Sequence, residues 1–97
     1  MTEAVWLKCK VAPGMFPNEV AVVVEDADKR EMSLFANSNL VEFSKPLTAS
    51  WSMVEGMVKV SLLERNEEFG LVSLPTPALE GPRSIKVERS ALRQAVG

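Results

Sequence analysis

Between Val5 and Val11 the chain changes sides at every residue: Val5, Leu7, Cys9 and Val11 form one set, Trp6, Lys8 and Lys10 the other. A period of two is the spacing of a pleated strand with one buried face, whereas a helix would scatter those four apolar residues around its circumference. The same alternation returns between Trp51 and Leu63. There Val54, Gly56, Val58, Val60 and Leu62 share one side, and Met53, Glu55, Met57, Lys59 and Ser61 share the other. Both stretches read as half-buried strands, the second the longest in the chain.

Shorter strands follow from the same pattern. Val20-Ala21-Val22-Val23-Val24, within Glu19–Glu25, suits a central strand covered on both faces, being five small or β-branched apolar residues in succession. In Glu31–Ala36, Met32, Leu34 and Ala36 face one way and Phe35 the other. Leu40–Phe43, Phe69–Leu74 and Ser84–Glu88 complete the set, the last with Ile85 and Val87 inward. Breaks fall where the backbone needs them: Pro13, Gly14 and Pro17, the Asp26–Arg30 stretch, Asn37-Ser38-Asn39, and Glu64–Glu68. Ser44–Ser50 and the proline-bracketed stretch 75–82 read as loops, and Ser90 reads as the N-cap of one terminal helical turn. Gly56 suggests a bulge or a sharp bend in the longest strand. The sequence displays no internal repeat and no dividing linker.

Six or seven short strands in 97 residues predict an all-β fold, a small antiparallel β-barrel with a short C-terminal helical turn, as one domain over residues 1–97. Closure is expected because a small open sheet leaves two unpaired edges. The general shape resembles that of SH3-like small barrels, a resemblance of architecture that rests on no shared motif and so implies no activity.

The chain lacks histidine and tyrosine, which removes the commonest general base, the imidazole metal ligand and the phenolic acid together. Cys9, the single cysteine, lies in the apolar set with Lys8 and Lys10 on the opposite face, so it reads as a buried hydrophobe and not as a nucleophile. Glu25, Asp26, Asp28 and Glu31 do not match a calcium loop, because Lys29 and Arg30 occupy its glycine and ligand positions. The scattered glycines build no phosphate loop. No enzyme, metal or cofactor is expected. With no basic leader and no apolar run long enough for a bilayer, the expectation is a cytoplasmic protein that does not engage membranes.

Two binding features remain. Met15 and Phe16 sit between Pro13 and Pro17 in an apolar tip that must either fold under the barrel or meet a partner; folding under is the first expectation. With Trp6, they are the candidate contacts of a protein-binding or assembly module, with a protein partner or a second copy of the chain. The alternative is a nucleic-acid-binding barrel using a basic C-terminal face. From Arg83 onward Arg83, Lys86, Arg89 and Arg93 stand against the single acid Glu88, and Lys8 and Lys10 are further anion contacts, with Trp6, Phe16 and Trp51 as stacking surfaces. The net charge of −2 weighs against that alternative.

Overall fold

The computed structural model describes residues 3–43, 53–75 and 83–94. Its strands are β1 (Glu3–Pro13), β2 (Glu19–Glu25), β3 (Glu31–Asn37), β4 (Val41–Phe43), β5 (Val54–Arg65), β6 (Phe69–Ser73), β7 (Ser84–Glu88) and β8 (Leu92–Gln94). They form one antiparallel sheet in the order β3-β2-β1-β5-β6-β7, with β4 added beside β5 and β8 beside β1. The sheet curls into a half-barrel, and the turn between β2 and β3 reaches across to β7. Ala27 N–H donates to the Lys86 carbonyl oxygen at 2.8 Å, and Lys29 Nζ lies 3.3 Å from Glu88 and 3.6 Å from Glu25.

The alternation sorts the side chains as a pleat requires. Val5, Leu7, Cys9 and Val11 of β1 and Val58, Val60 and Leu62 of β5 are buried in one core with Val22, Val24, Leu34, Val72, Leu74, Ile85 and Val87. Lys8, Lys10 and Lys59 are exposed on the convex side. The Val20–Val24 run is not the centre of the sheet, nor is it equally covered on both faces. Val20, Val22 and Val24 are buried and Ala21 and Val23 half-buried, and the central pair is β1 with β5, matched over nine residue pairs from Glu3↔Leu62 to Val11↔Val54.

That pairing reveals an internal two-fold repeat that the residue types conceal. Leu7 and Val58 are partners, 51 positions apart. The same offset carries the β4–β5 pairs Val41↔Val58, Glu42↔Met57 and Phe43↔Gly56 onto the β8–β1 pairs Leu92↔Leu7, Arg93↔Trp6 and Gln94↔Val5. Each half is three strands, a 3-10 turn and a short strand that crosses to the other half's long strand. The two 3-10 turns, Ser38–Leu40 and Arg89–Ala91, enter through equivalent bonds, Ser38 N–H to the Asn18 carbonyl and Arg89 N–H to the Glu68 carbonyl, both 2.9 Å.

Several boundaries differ from the sequence reading. The expected C-terminal helical turn is present as the 3-10 turn Arg89–Ala91, but Ser90 lies inside it and does not cap it. The turn begins after Glu88 without a side-chain cap, and the chain then continues into β8, an eighth strand too short to show a period. Glu64 and Arg65 extend β5 instead of turning, paired with Leu71 and Gly70. The register shift in β5 falls between Leu62 and Glu64, not at Gly56, which pairs regularly with Cys9 and Phe43. Gly56 is small for another reason. A Cβ there would run into the Glu42 carbonyl oxygen and stand 2.9 Å from Val11 Cγ2, so its hydrogen lets β4 lie close over β5. The expected loop 44–50, Trp51, and residues 76–82 of the expected loop 75–82 lie outside the described residues.

Candidate functional site

The connection from β1 to β2 carries the most exposed large apolar side chains of the described residues, Met15 at 81% and Phe16 at 65%. They do not fold under the sheet. The backbone explains why: Gly14 N–H donates to the Glu19 carbonyl and Glu19 N–H to the Phe16 carbonyl, both at 3.1 Å, closing a turn that holds the two side chains outward. Gly14 is confined by this closure, since a Cβ would lie 2.5 Å from the Glu19 carbonyl oxygen. Beside the tip a shallow groove of about 340 Å³ runs along Phe16, Pro17, Glu19 and the half-buried Phe35. With Pro13 and Pro17 fixing φ on either side, little conformational freedom is left for a partner to remove.

Trp6 stands elsewhere, half-buried on the convex face of β1. Its cross-strand partners are Arg93 on β8 and Lys59 on β5, and Lys8 follows one pleat along. Lys10 is on the same face, opposite Glu55. The tip and Trp6 are therefore separate features, not one surface. Lys59 was not among the residues singled out from the sequence. Its side of the strand was legible, but its position beside Trp6 depends on the β1–β5 register, which no local pattern encodes.

The basic C-terminal segment does not form a single face. Arg83 Nε donates to the Leu74 carbonyl at 3.3 Å and an Arg89 guanidinium N–H to the Asn66 carbonyl at 3.4 Å. Lys86 Nζ lies 4.1 Å above the centroid of the Phe69 ring. These three are engaged within β6, β7 and the β5–β6 connection, and only Arg93 joins Lys8 and Lys10 on the face that bears Trp6.

Cys9 is buried, and burial pushes its thiol up from 9.0 to about 12, so at neutral pH it holds its proton. The acids near the β2–β3 turn are engaged locally: Asp26 Oδ1 accepts from Asp28 N–H at 2.8 Å and Arg30 N–H at 2.9 Å. Lys29, at φ 66° in that turn, is held charged above its ordinary value by its hydrogen bond and charge pairing with Glu88, then by Glu25. Among the described residues no group of three or more Cys, Asp or Glu gathers as a metal site. Among the same residues no helix is long and apolar enough to cross a membrane. No protein-family model matches the chain, and no curated protein or solved structure matches it.

Proposed function

We propose that this protein is a non-enzymatic binding or assembly module of the cytoplasm, built as an SH3-like small barrel, whose contact element is the Met15–Phe16 tip. The observation that supports this reading is the outward fixing of two large apolar side chains, 81% and 65% exposed, on a turn closed by two backbone hydrogen bonds. An exposed apolar tip in water is costly, and its burial in an apolar recess on a protein surface removes that cost. The simplest partner is a second copy of the chain. A buried Met or Phe contributes roughly 1.5–3 kcal/mol, so losing both weakens association by at least about a hundred-fold.

Sedimentation of the wild type and of Met15→Ser/Phe16→Ser, from micromolar to near-millimolar protein, tests the reading. Self-association of the wild type that is lost in the double variant, with unchanged far-UV circular dichroism, supports it. Equal association of the two proteins removes the tip as the contact element.

A further inference from the structure

The cations of the described residues fall into two groups. Lys29 and Arg30 make ion pairs, Arg83 and Arg89 donate to backbone carbonyls, and Lys86 lies on a phenyl ring. Lys8, Lys10, Lys59, Arg65 and Arg93 make no such contact with another described residue. Four of these five share the convex face of β1, β5 and β8, and Lys8, Lys59 and Arg93 surround Trp6. Strand neighbours are about 5 Å apart across the sheet and roughly 7 Å along one pleat, so three positive charges ring one indole with no acid among them.

Folding alone does not call for this arrangement. The two-fold partner of Trp6 is Met57, and the same three neighbouring positions around Met57 hold Glu42, Lys8 and Lys59. The sheet thus accommodates a thioether and a carboxylate where the other half has an indole and a guanidinium. On a chain of net charge −2, the three cations next to Trp6 form a local reversal of sign, while Glu25, Glu31, Glu55 and Glu88 line the adjoining groove that Lys8 shares with Lys10.

We infer that this face binds single-stranded nucleic acid, with one base stacked on Trp6 and the phosphates on either side of it held by Arg93, Lys59 and Lys8. Stacking requires an unpaired base, which excludes an intact duplex. A half-buried indole beside cations suits a stacked base between phosphates, whereas a lipid surface calls for a fully exposed apolar wedge. This site is independent of the Met15–Phe16 tip.

The test is fluorescence anisotropy of a labelled oligodeoxythymidine titrated with the full chain at several salt concentrations. Three phosphate contacts give a log–log salt slope of about −2, so a four-fold rise in salt weakens binding roughly twenty-fold. Lys59→Glu/Arg93→Glu, which keeps the indole, is expected to lower affinity more than about ten-fold, and Trp6→Leu about ten-fold. Arg65→Glu and Met15→Ser/Phe16→Ser should leave it unchanged, with circular dichroism verifying the fold of every variant. No binding by the wild type at low salt overturns the inference. So does an equal loss with Arg65→Glu, undiminished binding by Lys59→Glu/Arg93→Glu, or tighter binding to phosphatidylserine vesicles than to the oligonucleotide.

Discussion

The connections β1–β2 and β5–β6 occupy equivalent places at opposite ends of the central ladder, yet they are chemically unlike. In the second, Asn66 Oδ1 accepts from the N–H groups of Glu68 and Phe69, both at 2.8 Å, and Asn66 N–H donates to the Phe69 carbonyl. Its tip is Asn66-Glu67-Glu68, all exposed, which is what a solvated turn requires. The first connection closes through backbone bonds alone and exposes Met15 and Phe16. Because the polar version serves the same architectural place, the apolar one is not a requirement of the fold. Repetition within one chain thus supplies an internal control for separating what holds the sheet together from what is added to it.

The control is broken most severely at Gly56, whose two-fold partner is the buried Val5. β4 crosses so near to Gly56 that a methyl group would meet the Glu42 carbonyl oxygen, and a backbone atom cannot swing away as a side chain can. Gly56→Ala is expected to cost about 3 kcal/mol, the upper part of the range for overpacking. In a domain of this size that lowers the melting temperature by roughly 15 °C. A scanning calorimetry trace that hardly moves would mean that β4 sits no closer over β5 than β8 does over β1.

A second asymmetry lies in the core, where Cys9 of one half occupies the place that Val60 holds in the other. Burial raises the Cys9 thiol from 9.0 to about 12, so the unfolded chain releases this proton first as pH rises. Below pH 9 the contribution of the neutral buried thiol is complete. Between pH 9 and about 12 it is lost at no more than about 1.4 kcal/mol per pH unit. Urea unfolding at pH 10.5 should therefore find the wild type weakened by ~2 kcal/mol relative to Cys9→Val, while the two have nearly equal stability at pH 7. Parallel pH profiles for both proteins would show that the thiol is not shielded from solvent.

How far the sequence discloses these features depends on the distance over which each is encoded. Strand type and inward face are local, and Val5 to Val11, Val58 to Leu62, Ile85 and Val87 all point where alternation predicts. The two-fold repeat is not local. It resides in registers such as Leu7↔Val58, and its halves share apolar spacing more than residue identity, for example Leu34, Ala36 and Val41 against Ile85, Val87 and Leu92. The short β8 carries too few residues to display any period, and this hid the placing of Arg93 beside Trp6. The tip was legible as an apolar insertion between prolines. Its outward direction was not, because the closing bonds from Gly14 and Glu19 belong to the backbone and leave no mark on residue type.

The smallest expected effect gives the sharpest reading of the comparison. Giving the first connection the acidity of the second, with Met15→Glu/Phe16→Glu, leaves Gly14, Glu19 and both closing hydrogen bonds untouched. Side chains 81% and 65% exposed bury little area that folding could lose, so the free energy of unfolding should change by less than about 0.5 kcal/mol. Association through the tip should disappear at the same time, since two carboxylates would have to be desolvated in an apolar recess. A loss of more than about 1.5 kcal/mol in denaturant unfolding would instead identify Met15 and Phe16 as packing residues of the monomer. Stability unchanged with association abolished would separate the two duties that one turn position performs in the two halves of the chain, closing a ladder in both and meeting a partner in only one.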